Sequence, residues 1–270
     1  MIVLTLNAPL DAPLDMSTII PEALVDLKPD AIKRRKLAYG GISVALGELF
    51  KVRGTVDTSL TITHVTPHLQ GLGAQMRAGT LRLEGDCGDF IGREMRGGEL
   101  QVYGSTRDGL GAGMRGGVIR VEGSAGDFVG AGIPGATTGM KGGTILISRH
   151  AGARVGDRMR RGVIAIGGNT GTACASQMVA GTIIVLGTPG EGYASGMRRG
   201  SLLLRGAVFK APETFVNTGH YNLSFVAVLS GYLAALKPAL SARLRAFNAV
   251  ERWVGDRGCG GLGEILVAQA

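Results

Sequence analysis

Seven methionines set the frame of this chain: Met76, Met95, Met114, Met140, Met159, Met178 and Met197 follow one another at 19, 19, 26, 19, 19 and 19 residues. The longer interval is one period plus seven residues, and segment 133–139, IPGATTG, reads as the insertion. Three residues after each Met stands a glycine: Gly79, Gly98, Gly117, Gly143, Gly162, Gly181 and Gly200. The fifth and seventh residues are aliphatic each time: Leu81/Leu83, Leu100/Val102, Ile119/Val121, Ile145/Ile147, Ile164/Ile166, Ile183/Val185 and Leu202/Leu204. Alternation with period two marks a short strand with one face buried. A 19-residue unit has no room for a helix as well as a strand and its turns, which excludes helical repeats, and propeller blades need about 40 residues.

These features predict a mainly β chain, a single-stranded parallel β-helix (β-solenoid) of about seven 19-residue coils. Glycine, 46 of 270 residues, suits the tight turns of such a chain. Ile62, one period before Leu81, predicts a degenerate coil ahead of the first full one. The resulting division is residues 1–56 as an N-terminal cap, 57–206 as the repeats, and 207–270 as a C-terminal helical cap and tail. In the last segment Phe225, Val228, Leu229, Tyr232 and Leu236 recur at helical spacing. A second helix starts at Pro238, with Leu240, Leu244, Phe247 and Val250 on one face. The sixth residue after each Met is polar in the first three repeats (Arg82, Gln101, Arg120) and Leu146, Ala165, Ile184 and Leu203 in the last four. A strand face that turns apolar halfway along needs a cover, and the apolar helix near residues 223–236 is the expected one.

The formal charge is +8, pointing to an acidic partner, an acidic substrate or nucleic acid. Cys87, Cys174 and Cys259 are odd in number and far apart, so neither a disulfide framework nor a metal cluster is expected, and a reducing cytoplasm is the default. The N-terminal segment lacks a basic stretch followed by an apolar run, so no signal peptide is expected. The most apolar stretch, 223–236, is too short to span a bilayer.

The Gly-Gly turns and Gly-x-Gly pairs, as in GLGAGMRGGVIRVEG (109–123), resemble the GXGXG domain of glutamate synthase large subunits. LGELFKVRG (46–54) and WVGDRGCGGLGEILV (253–267) extend a second resemblance over the whole chain, to the C-type subunit of formylmethanofuran dehydrogenase and of the related formyltransferase/hydrolase complex. The family's tail carries GKGE, and here Leu262 takes the lysine position. This resemblance implies a scaffold subunit without an active site of its own, held among amidohydrolase-like and formyltransferase partners. It implies no cofactor on this chain alone, while the complex handles a methanofuran-type carrier, a tetrahydromethanopterin-type C1 carrier, formate and a metal in the amidohydrolase-like partner. Arginine-, glycine- and alanine-rich composition favours the bacterial formyltransferase/hydrolase branch. The archaeal molybdenum or tungsten dehydrogenase is the alternative.

The residue after each Met reads Arg77, Arg96, Arg115, Lys141, Arg160, Val179 and Arg198. If the methionines point inward, these cations form an outward ladder. Either they bind an anionic carrier or partner, or local acids such as Asp89, Asp108 and Asp127 neutralise them. His64 and His68 have the i, i+4 spacing of a metal pair, but Pro67 and the β-branched TITHVT run place them in a strand or turn. Cys174 shares its repeat position with Leu72, Ile91, Leu110 and Val155 and reads as core. Nucleic-acid binding would want aromatics interleaved with the arginines, and a polyanion-acting enzyme would want clustered acids. Neither pattern is present, and neither nucleic acid nor a membrane is an expected partner.

Overall fold

The computed structural model describes residues 1–54, 58–205 and 210–268. Gly206 and the domain boundaries expected at 56/57 and 206/207 fall outside the described residues or beside them. Strand β1 (Ile2–Leu6) opens the chain, followed by β2 (Leu14–Asp15) and the short helices α1 (Pro21–Leu24) and α2 (Pro29–Lys33). Then come β3 (Lys36–Tyr39), β4 (Ile42–Ala45), α3 (Leu46–Leu49) and β5 (Phe50–Gly54). The repeat region supplies β6 (Ser59–Val65), β7 (Leu69–Gln70), β8 (Thr80–Gly85), β9 (Glu99–Val102) and β10 (Val118–Val121). It continues with β11 (Lys141–Ile147), β12 (Arg161–Ile166), β13 (Thr182–Val185) and β14 (Ser201–Arg205). The last elements are β15 (Val216–Tyr221), α4 (Ser224–Leu236), α5 (Pro238–Leu244), β16 (Val250–Gly255) and β17 (Gly263–Ala268).

These strands correct the expected architecture. Instead of a parallel β-helix closed by caps, the chain forms one mixed sheet of thirteen strands, in the order β15-β16-β17-β14-β13-β12-β11-β10-β9-β8-β6-β1-β5, and a smaller sheet β4-β3-β2-β7. The repeats make only its parallel middle. Segments expected to act as caps extend the sheet instead: β5 pairs antiparallel with β1, and β15, β16 and β17 pair antiparallel in turn. The physical reason is that the last repeat strand, β14, still offers a full row of backbone groups, and β17 fills it in parallel. This sheet arrangement gives no support to the GXGXG-domain resemblance.

Within the parallel middle the repeat fixes the register. Leu81, Leu100, Ile119, Ile145, Ile164, Ile183 and Leu202 are successive neighbours, and all are buried. Leu60 opposes Leu81 and Ile265 opposes Leu202, so the row runs past the repeats at both ends. Ile62 faces Leu83 rather than Leu81, because β6 starts 21 residues before β8 (Ser59 against Thr80). All seven methionines are fully buried under the strands. Away from the strands, the bridges Cys87–Thr106, Ala125–Ala151 and Ala151–Thr170 keep the rows aligned.

The invariant glycine is where neighbouring rows press closest. At Gly98 (φ +74°) a Cβ would lie 2.5 Å from Met76 Cε and 2.7 Å from the Gly79 carbonyl. Both the left-handed backbone and the contact exclude a side chain there.

The expected cover is present. Leu146, Ala165, Ile184 and Leu203 form a second core with Val226, Leu233, Leu240, Leu244, Phe247, Val250 and Leu266. Arg82 on the polar half is exposed, and Arg120 donates from Nε to the Leu236 carbonyl at 2.9 Å. Lys237 Nζ pairs with both oxygens of Glu122 at 2.8 Å, and Arg243 donates to the carbonyls of Gly167 and Leu186 at 2.6 and 3.0 Å. The face of α4 matches the one its spacing suggested only in part: Leu229 and Leu236 pack against this second core, and the Tyr232 hydroxyl meets Thr144 Oγ1 at 2.7 Å. Val226 and Leu233 are the buried positions, whereas Phe225 and Val228 are exposed. α4 carries no charged residue, so polarity does not choose its inner face. No helix among the described residues is long and apolar enough to cross a membrane.

The two cores are expected to respond differently. Ile164→Asp would strand a carboxylate in the main core at a cost of several kcal/mol and abolish cooperative thermal unfolding. Leu233→Ala would cost about 2–5 kcal/mol and lower Tm while leaving the far-ultraviolet circular dichroism of the sheet intact.

Candidate functional site

The ladder of cations is built by backbone hydrogen bonds from one repeat to the next. The amides of Arg96, Arg115, Lys141, Arg160 and Arg198 donate to the carbonyls of Met76, Met95, Met114, Met140 and Met178, all at 2.7–2.8 Å. At the first row the Arg77 amide donates to Glu22 Oε1 of α1 at 2.6 Å. The methionines point in and are sealed, so the residues that follow them point out, and all six cations are exposed. Val179 takes the same place in the ladder, bonding to the Met159 carbonyl at 2.8 Å, and leaves a gap before Arg198. Rows of a sheet lie about 4.8 Å apart. At that separation like charges repel by about 1 kcal/mol or less in water, and salt screens the rest.

Neutralisation by the repeat aspartates is not what the geometry gives. Asp89 Oδ1 accepts the Asp108 amide at 3.1 Å, Asp108 Oδ1 accepts the Asp127 amide at 2.8 Å, and Asp127 Oδ1 accepts the Ala153 amide at 2.7 Å. These carboxylates satisfy turn amides of the next repeat and reach no ladder cation. Arg115 pairs with Glu94 at 3.6 Å. The other five ladder cations make no ion pair among the described residues. Lys141 and Arg160, with the adjacent Arg161, line an open cleft of about 320 Å³. Three cations with no carboxylate between them make this the part of the ladder best disposed to hold an anion.

Elsewhere the sequence candidates resolve into structural roles. His64 lies in β6 with φ +57°, its Nδ1 3.4 Å from the Leu6 carbonyl, and no metal-binding cluster forms among the described residues. His150 Nδ1 accepts the Asn169 amide at 3.0 Å, and His220 is an exposed residue of β15. His150 belongs to a second side-chain series that spacing alone did not single out. Asp86, Ser105, Ser124, His150 and Asn169 each accept the amide of the residue at the next step. Short acceptor side chains at the repeat interval were its visible signal. Cys174 is fully buried, and burial pushes its thiol up to about 12, so it is core and not a nucleophile. Burial raises the Cys87 thiol as well.

The C-terminal signature docks at the end of the ladder. Asp256 and Leu262 donate their amides to the carbonyls of Met197 and Arg198 at 3.1 and 2.7 Å. Leu262, at the position of the family lysine, is 69% exposed. Asp256 is buried and accepts the Gly196 and Gly258 amides at 2.9 and 2.8 Å. Burial raises its carboxyl, but hydrogen bonds from Gly196, Thr214 and Gly258 outweigh that and hold it below the ordinary value.

The molecule is thus a repeat-built β protein that carries on its surface a row of cations largely without ion pairs among the described residues. No protein-family model matches the sequence, and no curated protein matches it. Among solved structures, the X-ray crystal structure of the formyltransferase/hydrolase complex (FhcABCD) from Methylorubrum extorquens in complex with methylofuran contains a similar chain. The two are 35% identical with a TM-score of 0.89, over 99% of this chain and 100% of that one. The chain belongs to the family of formyltransferase/hydrolase complex subunits.

A depressed Asp256 carboxyl stabilises the fold above the unfolded-state value, near about 3.9, and this contribution is lost as pH falls through the folded value. Asp256→Asn turns one acceptor into a donor facing a buried amide, at a cost of about 1–3 kcal/mol. Melting curves of both proteins are expected to differ most near neutral pH and to converge in acid.

Proposed function

We propose that this chain is the C-type subunit of a formyltransferase/hydrolase complex and serves it as a scaffold. The observation that carries this reading is the end-to-end likeness to a chain of FhcABCD, at 35% identity. Its partners in this reading are the amidohydrolase-like and formyltransferase subunits. The carriers whose formyl groups pass to formate, a methanofuran-type and a tetrahydropterin-type molecule, are handled by the complex, and the metal belongs to the amidohydrolase-like partner. The neighbour was crystallised with methylofuran, which supports the first carrier type and favours this branch over the dehydrogenase. A cytoplasmic location follows from the same reading.

The part assigned to Arg77, Arg96, Arg115, Lys141, Arg160 and Arg198 is contact with an acidic partner surface or with an anionic carrier. Their support is exposure, regular spacing and the single ion pair among them. A scaffold needs rigidity, and a sheet whose rows are tied at strand and turn supplies it.

Native co-purification tests the reading: large partners should accompany the chain, while the chain alone should show no formyl transfer, hydrolysis or redox turnover. Turnover by the isolated chain would overturn it. Changing Arg96, Arg115 and Arg160 together to Gln is expected to weaken assembly or carrier use several-fold, more at low salt than at high. Tm should stay near that of the parent, since all three are exposed. Unchanged assembly, activity and salt dependence would remove the ladder from the proposal.

A further inference from the structure

The single insertion in the repeat builds a cleft that the cation ladder does not use. Gly71, Phe90, Gly109 and Phe128 occupy one position in four successive repeats, since their amides donate to the carbonyls of Asp89, Asp108, Asp127 and Ala153 at 2.8–2.9 Å. Aromatic and absent side chains therefore alternate along this edge. Phe90 leans over Gly109, where a Cβ would come within 2.6 Å of its ring. Phe128, 42% exposed, stands on the far side, two rows on and so roughly 10 Å along the stack. Gly132 and Pro134, at the edge of the inserted segment, complete the walls with Ala112, and Asp89 and Asp108 line the cleft. Its volume is about 490 Å³, within the range of built ligand sites and larger than one side chain.

Its chemistry selects a cation. Neither Asp89, Asp108 nor Asp127 joins an ion pair among the described residues. Asp89 spends its oxygens on the Asp108 amide and on Gln70 Nε2, at 3.1 and 3.2 Å, and Asp108 Oδ1 takes the Asp127 amide. Asp108 Oδ2 has no hydrogen-bond partner among the described residues. In the row beyond Phe128 the corresponding residue is Arg154, which pairs with Asp157 at 3.8 Å and lines an adjoining cleft of about 230 Å³ with it. An apolar group in the cleft would dehydrate the Asp108 carboxylate without compensation, and an anion would be repelled. A guanidinium or ammonium can lie against a phenyl face and meet a carboxylate at once.

We propose that this cleft is a docking site for an arginine- or lysine-bearing segment of a partner subunit, the cationic head seated between Phe90 and Phe128 and paired with Asp108. Charge complementarity carries the choice of occupant: in a chain of net charge +8, this edge presents carboxylates beside aromatic rings. The proposal rests on the complex-subunit reading for the source of the segment but not for the chemistry of the cleft. It gives the molecule two oppositely charged contact surfaces, the cation ladder and this one.

The test has two arms. In the first, the full chain carrying a ¹⁹F label on the Phe128 ring is titrated with N-acetyl-arginine amide and with N-acetyl-citrulline amide, its neutral isostere. Saturable shifts with arginine, at least threefold tighter than with citrulline and lost in Asp108→Asn, are expected. Asparagine keeps the carbonyl oxygen that accepts the Asp127 amide, so the turn should survive. Equal responses to the two probes would overturn the cationic assignment, whatever the larger complex does. In the second arm, Phe128→Ala and Asp108→Asn chains are co-expressed with the remaining subunits, and the fraction that co-purifies is measured with the Tm of each chain. A fall of about tenfold in partner retention at unchanged Tm is expected. Parental retention would overturn docking, even if the small probes bind.

Discussion

Everything in this molecule hangs on rows of backbone close enough to bond at every step, and that spacing depends on glycine. The residue three after each Met must approach the preceding row within about van der Waals contact of a carbonyl or a methionine methyl. At Gly117 a Cβ would lie 2.8 Å from the Gly97 carbonyl carbon and 2.8 Å from the Gly98 oxygen. With this approach kept, strand amides, turn amides and the methionine carbonyls all find partners in the adjacent repeat. The aliphatic rows, the inward methionines and the outward cations are then consequences of one geometry. The residues next to the sealed methionines point outward for the same reason, and six of the seven are cations.

The parallel middle of the sheet was legible because its period is carried by residues with few substitutes. Methionine, glycine and paired aliphatics recur at fixed offsets, and so the neighbours of Ile164 could be named from spacing alone. The ends of the sheet were not legible. β1 is five alternating residues, but its parallel partner β6 lies more than fifty residues away, and nothing local identifies that partner. Likewise β16 and β17 continue the sheet through pairings decided by which edge remains open, so segments read as caps became strands. The inner face of α4 was hidden for a different reason: with no charge on the helix, only the apolar patch beneath it selects Val226 and Leu233 over Phe225 and Val228.

For the candidate site, the position of the cations was legible and their partners were not. Asp89, Asp108 and Asp127 lie close enough in sequence to suggest neutralisation. They are claimed instead by amides of the next turn. Competition between a turn amide and an exposed guanidinium for one carboxylate favours the amide, because the turn already holds its amide at hydrogen-bonding distance while fixing a long arginine side chain costs rotamer freedom. The same preference leaves the ladder uncompensated and Asp108 with one oxygen to spare. Both contact surfaces of the proposal are thus by-products of satisfying the backbone.

The seven-residue insertion carries a further meaning. Neighbouring repeats are so alike that a chain could pair with itself one full repeat out of step and still match aliphatic to aliphatic and glycine to glycine. The unequal interval breaks that equivalence, alongside the change from polar to apolar at the sixth residue after each Met, much as a single odd tooth prevents a gear from meshing in the wrong phase. Between Met114 and Met140 the interval is 26 residues instead of 19, and a chain that slipped there would have to bulge or stretch across every subsequent row. Segment 133–139 therefore acts as a phase mark. It makes one alignment of strands unlike its near copies.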